Sequence, residues 1–306
     1  MERWVIVNPA AGRGKVGRLS GAILKAAREG GAKAFLTEGP GHATELAYQA
    51  PEGARVVAVG GDGTVHEVLR GLAGTEKVLG VVPIGSGNDF ARMLGLRGLA
   101  WREALALALS APEEAIDLGW VNGEPFGASL GIGFDALVAK KAFSAPPFLR
   151  GMPRYLYALF GVLKDLRLPE GRVLVDGAEV HRGPLLLLAA MNGPMYGGGI
   201  PIAPMADPRD GLLSLVLARS FTRPGVVLIL PRLLLGRHLS HPQVVAYAGR
   251  RVEVAFSTPV PAHADGELLP EARVYQAEVR PLGLRVVGGR VGVRGGEAVP
   301  RPVGVS

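Results

Sequence analysis

Several short stretches of this sequence combine a flexible backbone with groups that handle phosphate or metal. NPAAGRGK (8–15) sets Asn8, Pro9, Ala10, Ala11 and Gly12 ahead of Arg13 and Lys15. GGDGT (60–64) places Asp62 between Gly61 and Gly63 and follows them with Thr64. PIGSGNDFAR (83–92) carries Ser86, Asn88 and Asp89. MADPRDGLL (205–213) and AHADGELL (262–269) each set carboxylates beside a glycine turn. Glycines let backbone N–H groups approach phosphate oxygens, and helix N-termini favour anions. Carboxylates beside phosphates make sense when a Mg2+ sits between them.

Elements must bring these turns together. WVIV (4–7), AKAFLT (32–37), RVVAVG (55–60) and VLGVVPI (78–84) read as strands. Helical patterns follow near 16–29, 42–49, 64–73 and 87–94, with another at 103–109. Apolar strands alternating with amphipathic helices give βαβ units and a parallel sheet covered on both faces. The first three turns then lie at the carboxyl edge of one sheet, where ligands bind. After AIDLGWVNG (115–123) the texture changes to short strands separated by NG, DG and GG turns. The expected fold is an N-terminal α/β nucleotide-binding domain (1–118) followed by an antiparallel β-sandwich-like domain (119–283). Residues 284–306 are a candidate to rejoin the first domain.

The chain has 306 residues and a net charge of +7, enough for two ordinary domains. Basicity suits phosphorylated substrates, anionic lipid or nucleic acid. Nucleic acid is the least expected of these partners, since no aromatic-plus-basic stacking surface or reading-helix motif is present. The absence of Cys removes disulfides and thiolate metal sites. Residues 1–3 run straight into a strand without a signal-peptide core. The longest apolar runs, such as 185–191, fall short of the roughly 18–20 residues that span a bilayer. A cytoplasmic protein is expected.

Taken alone, GRGKVG (12–17) with Glu38 at the end of the next strand also fits a dinucleotide fingerprint. An ATP-type P-loop fails, because Val16 stands where Ser or Thr is required. Each turn alone is explained by an Asp or Asn helix cap. Together, VNPAAGRG, GGDGTVHEV and GSGNDFAR resemble the catalytic domain of the diacylglycerol kinase family, particularly the bacterial lipid kinases. The resemblance covers nearly the whole chain. Ser86, where Thr is commoner, and His66, where Asn is common, depart from the pattern.

The resemblance implies transfer of the ATP γ-phosphoryl group to a hydroxyl of a glycerolipid, with Mg2+. It implies phosphate contacts from 8–12 and 61–64, nucleotide contacts from Thr37 and Ser86, and Glu67 bordering the same pocket. It pairs Asp117 with Asp62 in a metal network. It makes Asp207, Asp210 and the Leu212 carbonyl a structural Mg2+ site. It places the base within Asp265-Gly266-Glu267. On a regular strand Asp265 and Glu267 face the same way. Glu267 is favoured as proton acceptor, with Asp265 in support. No His is needed.

Extracting an acyl chain into water costs about 0.8 kcal/mol per CH2, so a lipid kinase needs a greasy groove or the bilayer itself. Apolar helices with interspersed Arg near 146–166 and 222–239 meet that need, or else simply cover the β-domain. Peripheral association with an anionic membrane is therefore expected, with oligomeric state left open, a homodimer included. Three rivals remain: an NAD-kinase-type enzyme acting on a soluble substrate, a lipid-binding protein without catalysis, and an oxidoreductase binding a dinucleotide at Gly12–Gly17.

Overall fold

The computed structural model describes residues 1–146, 148–149 and 152–288. Arg150 of the expected basic helix and the end of the 284–306 stretch, from 289 onward, lie outside the described residues.

Strands β1 (Arg3–Val7), β2 (Lys33–Leu36), β3 (Arg55–Gly60) and β4 (Val78–Pro83) form a parallel sheet in the order β2-β1-β3-β4. Alternation sends successive side chains to opposite faces. Val5 and Val7 pack with Val16 and Ile23 of α1 (Lys15–Glu29) and Leu105 of α5 (Trp101–Ser110). Ile6 packs with Leu46 of α2 (His42–Gln49) and Val68 and Leu69 of α3 (Asp62–Leu72). Burial of each such Leu or Val is worth about 1.5–3 kcal/mol. The short α4 (Asp89–Met93) follows the third glycine-rich turn. Helix α3 begins at Asp62, two residues earlier than the apolar period suggests, so the GGDGT turn is itself the first helical turn.

Strands β5 (Glu113–Val121), β6 (Glu124–Phe126) and β7 (Ser129–Gly133) lead into the second half. Next come helices α6 (Phe134–Phe143) and α7 (Met152–Leu163), strands β8 (Glu170–Val175), β9 (Ala178–Pro184), β10 (Leu187–Met191) and β11 (Leu213–Ala218), and helix α8 (Arg223–Leu234). Strands β12 (Val244–Gly249), β13 (Arg251–Ala264) and β14 (Glu267–Val287) complete the chain. The order β12-β11-β10-β7-β13-β14 is antiparallel throughout. One apolar core lies within the strands around Phe126, Leu215 and Tyr275. A separate core sits under α6, α7 and α8. Helix α6 is missing from the sequence-based reading, although Phe134, Val138 and Ala142 recur at helical spacing.

Strand β14 joins the two halves. An irregularity between Arg280 and Leu284, with Leu282 at φ 51°, turns its end into the first sheet. There Arg285 and Val286 pair in parallel with Val78 and Leu79 of β4, and Val286 is fully buried.

Candidate active site

The three glycine-rich turns meet at the carboxyl edge of the parallel sheet. Asn8 ties the first to the second: its Nδ2 donates to Thr64 Oγ1 at 3.0 Å. Its Oδ1 accepts from Ala10 N–H, and its carbonyl accepts from Ala11 N–H. Pro9 carbonyl accepts from Gly17 N–H, and Gly12 carbonyl from Lys15 N–H, so the loop folds onto the start of α1. Gly61 and Gly63 flank the start of α3, whose first N–H groups have no partner inside the helix. Thr37 is buried just past β2, its N–H donating to Val7 carbonyl. Ser86 is exposed on the third turn and lines the cleft described below. Glu67 lies one helical turn beyond Thr64, and its carbonyl accepts from Thr44 Oγ1.

Asp62 clamps the second turn to the third. Its Oδ2 accepts from Asn88 N–H at 2.6 Å and its Oδ1 from Asp89 N–H at 2.7 Å. Burial and the neighbouring Asp89 charge push the Asp62 carboxyl up to about 6, against those two hydrogen bonds. Burial also raises Asp89. Asp89 Oδ1 is buried and receives no hydrogen bond from the described residues. Arg92 Nε stands 3.9 Å from that oxygen, and the two neighbouring carboxylates form an oxygen donor set that fits a hard divalent cation.

Asp265 and Glu267 separate sharply. Asp265 and Gly266, at φ 51° and 90°, form the hairpin turn between β13 and β14, which breaks strand alternation. Asp265 turns inward. Its oxygens accept from the N–H groups of Gly127, Ala128 and Ser129 at 2.7–2.9 Å. His66 Nδ1 stands 3.2 Å away. Burial alone would raise this carboxyl, but His66 and the backbone N–H groups outweigh it and hold Asp265 below the ordinary carboxylate range. Glu267 is exposed and hangs over the start of α3: a Cβ built on Gly63 would stand 2.7 Å from its Oε1. The two carboxylates thus do not share a face, contrary to the regular-strand expectation. Asp265 is held by these hydrogen bonds, and Glu267 is exposed.

Asp117 lies within β5 and reaches the second half of the chain. It is fully buried, with Oδ2 accepting from Gly211 N–H and Oδ1 from Leu282 N–H. Its carboxylate therefore braces the 207–212 turn and the bend of β14. Within that turn Asp207 Oδ1 accepts from Arg209 N–H, and Asp210 Oδ1 from Leu212 N–H. Among the described residues no three acidic or His side chains converge as a metal cluster. These hydrogen bonds close the turn that carries Asp207, Asp210 and Leu212.

A cleft of about 410 Å3 runs from these carboxylates into the second half of the molecule. Asp62, Asp89, Asp265 and Glu267 line one end. Val138 and Ala142 of α6, Leu159 of α7, and Ile229, Leu230 and Leu233 of α8 line the other. No Lys or Arg is among the described residues lining it. Sequence reasoning singled out Asp89 in its turn without assigning it a role, and missed His66 as a site residue. Asp89 was legible beside Asn88; His66 shows its role only through Asp265, 199 positions away.

Residues 2–121 match the family model for the diacylglycerol kinase catalytic domain. Residues 128–288 match that for the YegS C-terminal NAD kinase beta sandwich-like domain. A diacylglycerol kinase from Mycobacterium tuberculosis is 32% identical over 271 residues, covering 86% of this chain and 87% of the relative. The crystal structure of a diacylglycerol kinase from Bacillus anthracis str. Sterne superposes with a TM-score of 0.69 at 20% identity, covering 94% of this chain and 97% of that one. An NAD kinase from Archaeoglobus fulgidus in complex with ATP gives 0.57 at 14% identity, covering 94% of each chain. Both structures share the two-part fold. With carboxylates at the mouth of a greasy cleft and both halves matched, the chain belongs to the diacylglycerol kinase family of lipid kinases.

Proposed function

We propose that the protein transfers the γ-phosphoryl group of ATP to a hydroxyl of a glycerolipid, diacylglycerol-like in build, at a membrane surface. The observation that carries this is the continuity of the cleft, carboxylates at one end and aliphatic side chains at the other. A soluble substrate would have no use for the aliphatic end. The turns at 8–12 and 61–64 hold the nucleotide phosphates through backbone N–H groups. Glu267 accepts the proton of the lipid hydroxyl as its oxygen bonds to the γ-phosphorus. The bond from that phosphorus to the bridging oxygen breaks, and ADP leaves with the electron pair. Asp265 orients the hairpin that carries Glu267. Asp62 and Asp89 would hold Mg2+, which when bound neutralises phosphate charge.

The described residues contain no helix long and apolar enough to cross a membrane. The lipid instead enters beside α7 and α8, which expose Tyr157, Phe160, Leu228 and Leu234, with Leu235 exposed just past α8. Arg223 and Arg232 on α8 and Arg237 just beyond it would add about 1 kcal/mol each toward an anionic leaflet. The test is phosphoryl transfer from labelled Mg-ATP to lipids in mixed micelles, with Glu267→Ala in parallel. Label on a glycerolipid, lost in the variant, supports the reaction. A wild type that hydrolyses ATP without labelling lipid overturns it.

A further inference from the structure

Inside the otherwise aliphatic part of the cleft lies a polar cluster that the proposed transfer does not use. Asp135, near the start of α6, faces Tyr196, Tyr155 and His263. Tyr196 Oη donates to Asp135 Oδ2 at 2.7 Å, and His263 Nε2 stands 3.2 Å from the same oxygen. His263 Nδ1 accepts from Gly266 N–H, which leaves the proton on Nε2 and makes that nitrogen the donor to Asp135. The side chain of Asp135 is nine-tenths buried, yet its Oδ1 receives no hydrogen bond from any described residue. Gly131 makes the arrangement possible, because a Cβ there would collide with both Asp135 and His263. The charge is felt by its surroundings: burial and Asp135 push the Tyr155 hydroxyl up to about 12.

A buried carboxylate oxygen without a donor is costly, so the site is completed by whatever fills the cleft. The run Asp135–His263–Gly266 ends at the residue before Glu267, and Asp135 and Glu267 line the same cleft, so one bound headgroup can face both. With no Lys or Arg among the described lining residues, a headgroup bearing its own phosphate finds no counter-charge.

We propose that Asp135 Oδ1 selects neutral lipids whose headgroup carries a second hydrogen-bond donor, a further hydroxyl, beside the hydroxyl that is phosphorylated. Resting on the lipid-kinase function above, this makes Asp135 a specificity-determining residue, held in place by Tyr196 and His263. It predicts that, among neutral glycerolipids, one with a second free hydroxyl is used better than diacylglycerol, which has a single free hydroxyl.

The test compares 1-acylglycerol with 1-acyl-propane-1,3-diol, the same lipid without the secondary hydroxyl, and with phosphatidylglycerol. Both kcat/KM for phosphoryl transfer and equilibrium binding are measured, on wild type and Asp135→Asn. A charge-assisted hydrogen bond supports a preference of about tenfold to a hundredfold for 1-acylglycerol over its deoxy analogue. In Asp135→Asn, an isosteric change, that ratio falls toward one. A purely structural role would lower both substrates together and leave the ratio intact, which would overturn the assignment. So would equal use of the two lipids by wild type, or a preference for phosphatidylglycerol. If no lipid is labelled, the transfer reaction fails, and the binding ratio still decides the role of Asp135.

Discussion

Gly63→Ala tests where the base works. Gly63 is the second residue of α3, and a Cβ there would stand 2.7 Å from Glu267 Oε1. Two effects of opposite sign follow. Replacing Gly by Ala in a helix stabilises by about 0.5–1 kcal/mol, and the first-turn position favours the lower end. The neighbour that must yield is the far end of an exposed, flexible side chain, so the fold does not resist. The melting temperature should rise by about 1–2 °C. The carboxylate, however, must retreat by roughly 0.7 Å to regain van der Waals distance. Displacing a reacting group by about 1 Å costs up to a hundredfold, so kcat should fall by about tenfold or more. Thermal unfolding and steady-state lipid phosphorylation measure the two effects. The decisive arm adds Gly63→Ala to Glu267→Ala, where the Cβ has no carboxylate to displace and no further loss is expected. An additive loss in the double variant would mean that the Cβ acts on the nucleotide instead. An unchanged kcat in the single variant would refute the placement of Glu267 as base.

Asp265→Asn should destabilise by about 3 kcal/mol, read from the denaturant midpoint, because an amide cannot accept three N–H groups and meet His66 as well. Asp265 is held below the ordinary carboxylate range, so its stabilisation is present above the unfolded value near 4 and lost as pH falls through the folded value; acid unfolding should begin at higher pH without it. Asp62 has the opposite sign. With its carboxyl near 6, the ligand-free protein should lose up to about 3 kcal/mol as pH rises from about 4 to 6, and Mg2+ with nucleotide should stabilise it more at pH 7 than at pH 5 in thermal-shift measurements. Leu230→Gln, on the cleft wall, should lower lipid kcat/KM by about tenfold or more while nucleotide binding holds, as titration calorimetry would show. Leu228→Asp with Leu235→Asp should reduce binding to anionic vesicles at least tenfold in a sedimentation assay, since neither side chain supports the core.

The sequence by itself determined the parallel sheet, since a fully buried strand such as RVVAVG followed by a 3.6-residue period has few other solutions. It also marked the glycine-rich turns, because residue types that must meet phosphate are chemically unusual wherever they stand. The family followed from those turns. What tertiary structure alone decided is which carboxylate does what. Asp265 and Glu267 are two residues apart, and only the left-handed turn sends one inward to three N–H groups and the other over Gly63. Asp62 follows β3, whereas Asp117 lies inside β5 and is captured by Gly211 and Leu282, partners 94 and 165 positions away. Helix α6, and with it Asp135, was lost in a run of short strands, and the donor missing at its Oδ1 appears only when Tyr196 and His263 are brought against it. Local periodicity and turn chemistry act within a few residues, so they can be read along the chain. Hydrogen-bond partners chosen across a hundred residues depend on how strands pair, and strand pairing is fixed only when the whole sheet closes.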